Sequence, residues 1–371
     1  MNSSVTHRPD RGIRSSCSLR SIAFALLFGA CSLGCDDGDS NPAAALGEPD
    51  VAGWDSSAAL TLAPATAPAG LGDLDATFYE GVSCGAFAED LVDLFVPNDL
   101  TAPAPLFLFF HGGGFTGGSR TQVYGGSSAA DLRALVDAGV VYATADYRLL
   151  SEPDADGVIK PLQDGQVCLQ YLRLHAEELG IDPTRVVVAG SSAGAGLSLW
   201  LGTASELAVR NHENPVLRQS SRVSGVVALE TQATYDLGRW ATDVFTEYNF
   251  DLLGLAAAIG LEGRLLAFFG ITELEDFDSP ATLRYRRAVD MLGLMSHDDP
   301  PIFVRNQNTP VSRPLTPDVA FHHPAHARAV YERALEVDVE VVAYASGLDI
   351  VAPSGESVVD FALRVLEVPS P

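Results

Sequence analysis

The hydrophobic pattern of the chain is one of short continuous apolar runs alternating with segments of helical period. Pro105 to Phe110, Val140 to Ala145 and Arg185 to Ala189 are runs with few or no polar interruptions, as expected of strands buried on both faces. Leu91 to Val96 reads as a further strand closed by Pro97, and Val223 to Leu229, Ile302 to Val304 and Val337 to Tyr344 follow later. Between them, Ser127 to Ala138 carries helical spacing and stops at Gly139. Pro161 to Leu179 does the same and stops at Gly180; helices also follow from Ala193, over Pro324 to Leu335 and over Ser357 to Leu366. Strands alternating with helices predict an α/β fold with a mostly parallel central sheet covered on both faces. Residues 238–298 break this rhythm. They read as mainly helical, with no buried-type strand, and predict an insertion capping the sheet.

The ends of the chain follow other rules. Arg8, Arg11, Arg14 and Arg20 precede a short apolar run, Ile22 to Ala30, which is too short to span a bilayer. Small residues and cysteines come next. This resembles a bacterial lipoprotein signal over residues 1–35, with lipid on Cys35 after Leu33-Gly34, or on Cys31 after Gly29-Ala30. The expectation is export to the cell envelope and attachment to a membrane through an N-terminal lipid. Residues 36–75, rich in Ala, Pro, Gly, Ser and Asp, read as a disordered tether, leaving 76–370 as the folded domain. Without residues 1–34, three cysteines remain: Cys35, Cys84 and Cys168. Cys84 and Cys168 are then either a disulfide in an oxidising compartment or two buried thiols.

Composition adds one exclusion. The chain has 48 acidic against 23 basic residues, a formal charge of −25, which argues against nucleic acid as a partner. Its 47% hydrophobic content is ample for a core.

Two motifs carry chemistry. Gly190-Ser191-Ser192-Ala193-Gly194 lies between the apolar strand Val186 to Ala189 and an apolar helix. G-x-S-x-G in a strand–turn–helix context is a nucleophile elbow, with Ser192 at its tip. His111-Gly112-Gly113-Gly114-Phe115 follows the run Pro105 to Phe110 directly. Its glycines free backbone N–H groups, so Gly113 and Gly114, with Ala193 after the nucleophile, are the expected oxyanion hole. His111 is expected to orient that loop rather than act as a base.

With these motifs the chain resembles the α/β-hydrolase esterases of the hormone-sensitive-lipase-like and feruloyl-esterase-like kind. Asp93-Leu94-Phe95-Val96-Pro97, Asp146-Tyr147-Arg148-Leu149, Pro161-Leu162-Gln163-Asp164 and Asp299-Pro300-Pro301 match further stretches. The resemblance implies a serine carboxylesterase acting on a small-molecule ester without a cofactor. It fails at two places. No carboxylate follows Ile302 to Val304 closely, which leaves Asp318 as the expected acid. The loop after the last long strand, around Gly347-Leu348-Asp349, holds no histidine. The base must come from His322, His323 or His326, and His323 is the expected one, oriented by Asp318 or Asp349; a domain that has lost its triad and only binds is the alternative. The same histidines lack the spacing of a zinc site, so no metal is expected. The sequence carries no signal for oligomeric state.

Overall fold

The computed structural model describes residues 42–43, 47–309 and 313–369. Cys31 and Cys35 lie outside them. Among the described residues no helix is long and apolar enough to cross a membrane.

Nine strands form one sheet: β1 (Ala76–Ser83), β2 (Leu91–Pro97), β3 (Ala104–Phe110), β4 (Val141–Ala145), β5 (Ile181–Ser191), β6 (Gly225–Leu229), β7 (Ile302–Asn306), β8 (Val341–Ala345) and β9 (Ile350–Val351). Their spatial order is β1-β2-β4-β3-β5-β6-β7-β8-β9. The six strands from β4 through β3, β5, β6 and β7 to β8 pair in parallel. The outer strands β1, β2 and β9 pair antiparallel. The expected α/β-hydrolase architecture is therefore present. The run that predicted a strand from Val337 starts only at Val341, because Val337 caps the preceding helix and Asp338 turns the chain at φ +59°.

The central strands are apolar on both faces for a visible reason. Along β3, Leu106, Leu108 and Phe110 face one core layer and Phe107 and Phe109 the other. Along β5, Val186 and Val188 divide from Val187 and Ala189 in the same way. On the first face pack α2 (Ile159–Leu174), α3 (Ala176–Leu179), α4 (Ala193–Thr203) and α10 (Ala325–Glu336), through residues such as Leu169, Trp200 and Val330. On the second pack α1 (Gly126–Asp137) and α11 (Val358–Val365), through Leu132, Leu135 and Phe361. The region expected to be a helical cap holds α5 (Leu252–Ile259), α6 (Glu262–Phe269), α7 (Pro280–Ala288) and α8 (Met291–Leu294), with shorter 3₁₀ and π turns and no strand. A five-residue helix, α9 (Pro317–Phe321), precedes α10.

Two expectations are corrected. The stretch read as a tether lies on the domain from Gly47 onward. Trp54 packs on Tyr171 at 5.4 Å between ring centroids, the Ser56 carbonyl accepts from His175 Nε2 at 3.0 Å, and Leu71 is buried in the second core layer. Scattered anchors among Ala, Pro and Gly suffice to dock it, although the stretch has no period. The helix expected over 161–179 is broken at His175, which ends α2 and begins α3. The cysteine alternative resolves as well: Cys84 and Cys168 form a disulfide joining the end of β1 to α2.

Candidate active site

The parallel register brings three loops to one edge of the sheet. Phe110 pairs with Gly190 and Ser191 with Leu229, so β3, β5 and β6 end abreast. Leu229 pairs with Arg305, which sets the end of β7 beside them. Chain leaving these C-terminal strand ends forms the crevice where ligands bind in open α/β sheets.

Ser192 links β5 to α4 at φ +52°, ψ −115°. A non-glycine residue is rarely held there, and the surroundings enforce it. A Cβ on Gly190 would stand 2.2 Å from the Gly194 carbonyl, and one on Gly194 would stand 2.1 Å from the Phe110 carbonyl oxygen. Glycine at both positions is thus a steric requirement of a turn this tight. The Ser192 N–H donates to the Leu229 carbonyl at 2.8 Å, which fixes the residue at the N-terminus of α4.

The glycine loop stands over the serine. A Cβ on Gly112 would lie 3.4 Å from Ser192 Cβ. The Gly112 N–H is used, donating to Gln122 Oε1 at 2.8 Å, whereas no described residue accepts from the Gly113 or Gly114 N–H. His111 is buried and has the orienting place expected of it. Its Nδ1 lies 2.7 Å from the Gly112 carbonyl oxygen, its ring stacks on Tyr147 at 4.2 Å, and the Tyr147 hydroxyl donates to the His111 carbonyl at 2.7 Å. Burial holds its pKa below the usual histidine value. Arg148 grips Asp164 through Nε and Nη2.

The base is where the sequence reading needs correction. His322, not His323, faces Ser192: its Nε2 lies 2.8 Å from Ser192 Oγ, and its Nδ1 lies 3.1 Å from Asp318 Oδ1. His323 is turned into the core, where its Nδ1 accepts from the Ala325 N–H at 3.1 Å and its ring packs against Phe245 and Tyr248. His326 is also internal. It accepts from the Ala233 N–H on Nδ1, so Nε2 carries the proton donated to the Ala320 carbonyl at 2.8 Å. Burial pushes its pKa down to about 3, so it stays neutral. Asp349 takes no part; it sits at φ +58° in the turn before β9, outside the residues lining the cavity.

The distinction between adjacent histidines comes from α9. Thr316 caps it, its side chain accepting from the Val319 N–H, and Pro317 opens it. Asp318 and His322 then stand four residues apart, one turn along the same face. A helix this short leaves its last carbonyls without helical partners. Side chains supply them: His326 holds the Ala320 carbonyl, Gln232 that of Phe321, and Asn306 and Asn308 that of His322. Glu230, at φ +54° directly after β6, accepts from the Gln307 N–H and from Asn308 Nδ2 and so braces this loop. Gln232, Asn306, Asn308 and Glu230 carry no motif in sequence; only the end-on position of β6 and β7 marks them.

Ser192, His322, Asp318, Gly113, Gly114 and Ala193 all line one cavity of about 500 Å³. Its remaining wall is mainly apolar and comes from the cap, including Trp240, Phe250, Leu255 and Phe268. Serine, imidazole and carboxylate in this sequence of contacts can move a proton from a hydroxyl and restore it to a leaving group.

Residues 92–247 match the BD-FAE family model. The chain is 36% identical over 96 residues to carboxylesterase NlhH of Mycobacterium tuberculosis, covering 25% of this chain and 27% of that protein. It is 37% identical over 102 residues to acetylcholinesterase of Gallus gallus, covering 26% and 13%. The chain thus spans less than a third of the length of these curated relatives. Among solved structures, a truncated carbohydrate esterase from gut microbiota superposes with a TM-score of 0.56 at 14% identity, over 80% of this chain and 98% of that one. The nine-stranded sheet and this superposition show an α/β-hydrolase fold, and within it residues 92–247 resemble the BD-FAE family.

Proposed function

We propose that the chain is a serine carboxylic ester hydrolase. The observation that carries this reading is the 2.8 Å approach of His322 Nε2 to Ser192 Oγ, in the cavity that the Gly113–Gly114 loop also lines. In the proposed cycle His322 takes the Ser192 proton as Oγ attacks the ester carbonyl. The N–H groups of Gly113, Gly114 and Ala193 hold the oxyanion. His322 then gives the proton to the leaving alkoxide, and an acyl group remains on Ser192. Water, deprotonated by the same imidazole, releases the acid and restores the serine. Asp318 accepts from Nδ1–H and keeps the tautomer that leaves Nε2 free. The alternative of a domain that has lost its triad finds no support in this geometry. Purified protein should be labelled at Ser192 by a fluorophosphonate and should cleave short-chain aryl esters, with both properties absent in Ser192→Ala. Wild-type protein that neither labels nor hydrolyses refutes the reading.

We further propose that the protein is exported and lipid-anchored through Cys35. The basic stretch before Ile22 to Ala30 supports this, and so does the Cys84–Cys168 disulfide, which suits an oxidising compartment. Labelled fatty acid should enter the wild type and not Cys35→Ala; equal labelling of both rules out that cysteine.

A further inference from the structure

Among the described residues lining the apolar cavity, Arg264 is a cation that the esterase cycle does not use. Arg264, on α6 of the cap, lines the same space as Ser192 and His322. Its Nη2 donates to the Gly114 carbonyl at 3.2 Å, and its guanidinium lies over the Phe321 ring at 5.6 Å from the centroid. Among the described residues no carboxylate lies within ion-pair range of it. Asp318, the one acid among the described residues lining the cavity, is engaged with His322. Burial lowers the pKa of Arg264, and the charge of Glu152, an exposed residue, works against this. A guanidinium presents five donors in a planar fork matched to a carboxylate, and a single carbonyl leaves most of them unused. Holding such a group half-buried with no carboxylate in ion-pair range is unfavourable, and its attraction for an anion is strengthened by an apolar surround.

We infer that Arg264 is a carboxylate-binding subsite and that the ester substrate carries a free carboxylate beside an apolar or aromatic body. The inference rests on the esterase reading and deepens it. The apolar body would lie against Trp240, Phe250 and Phe268 while the carboxylate bridges to Arg264 under the cap. The net charge of −25 disfavours long-range attraction of such an anion, so recognition falls to this local contact. The carboxylate belongs to either the acyl or the alcohol part, and two matched pairs of substrates separate these cases.

The test measures kcat/KM of the full-length protein for 4-nitrophenyl hydrogen glutarate against 4-nitrophenyl valerate, and for 4-acetoxybenzoate against phenyl acetate. In one pair the charged member should be favoured about tenfold or more, as a charge-assisted hydrogen bond supplies. In R264Q, which keeps an amide donor but loses the charge, that ratio should fall to near one. A wild-type ratio near one in both pairs, or a ratio unchanged in R264Q, overturns the assignment while leaving the esterase reading intact. Equal loss on both members, with the ratio kept, makes Arg264 a latch for the Gly114 loop and also overturns it. Hydrolysis of no ester in either pair overturns the esterase reading itself. Should R264Q fail to fold, competition in the wild type decides. Benzoate should inhibit hydrolysis of phenyl acetate about tenfold more strongly than benzamide, and equal inhibition counts against the subsite.

Discussion

Ser192 stands at the end of a strand flanked on both sides by parallel neighbours, in a turn fixed by backbone contacts at Gly190 and Gly194. His322 stands directly after a five-residue helix, as its C-cap, and its acid, Asp318, has 88% of its side chain exposed. The nucleophile half is thus held by the core, and the base half by hydrogen bonds at the rim. In water an exposed ion pair is worth little, because solvent screens it and the side chains lose freedom to hold it. The imidazole is therefore set less by Asp318 than by its own backbone, whose carbonyl is held by the buried Asn306 and by Asn308.

That contrast can be broken experimentally, beginning with the core half. Gly194→Val forces a side chain into the Phe110 carbonyl and should leave no active folded protein, read as loss of soluble expression or of a cooperative melt. Gly113→Ala places a Cβ 2.1 Å from the Gly117 carbonyl oxygen at a φ of +114°, and so moves the oxyanion donors. Its kcat should fall by about a hundredfold or more with the fold retained. On the rim half, Asn306→Ala removes the anchor of the His322 carbonyl and the acceptor for the Asn308 N–H. It should lower kcat/KM about tenfold, as loss of a buried hydrogen bond would. Asp318→Ala should cost about fivefold or less, since the pair is solvent-exposed. A larger loss for Asp318→Ala than for Asn306→Ala would reverse the proposed division of labour.

The smallest effect concerns pH and again lies in the core half. Burial, reinforced by the charge of Asp164, pushes the Asp90 carboxyl up to about 7. Because the folded-state value exceeds the unfolded one, the stability tied to its proton is present below about pH 4 and lost as pH rises through 7. Asp90→Asn keeps a neutral group at that place. Its melting temperature relative to wild type should therefore rise between pH 4 and pH 8; a flat difference would show that Asp90 titrates normally.

The core half was legible in sequence because its constraints are local. Continuous runs such as Leu106 to Phe110 announce strands buried on both faces, and the glycines of both motifs sit next to the groups they accommodate. The rim half was not. Five residues of α9 are too few to show a period, so spacing does not separate His322 from His323, and the expectation falls on the wrong one. The cue was Thr316-Pro317-Asp318, a cap followed by proline at the first helical position, which phases Asp318 with His322 rather than His323. Strand β1 went unassigned because most of Ala76 to Ser83 is only partly buried at the sheet edge, where alternation is weak. The docking of residues 47–74 depends on Trp54, Ser56 and Leu71, anchors whose partners lie far along the chain.

The central claim is that His322 is the base for Ser192 and its neighbour His323 is not. The direct test is kcat/KM for 4-nitrophenyl acetate in His322→Ala and His323→Gln, each normalised to folded protein by its melt. Without its base Ser192 is a poor nucleophile, so His322→Ala should lose activity nearly as completely as Ser192→Ala, by about a thousandfold or more. His323→Gln, altering a ring packed on Phe245 and Tyr248, should lower the melting temperature while folded protein keeps activity within about tenfold of wild type. Substantial activity in folded His322→Ala, or its abolition in folded His323→Gln, would contradict the account.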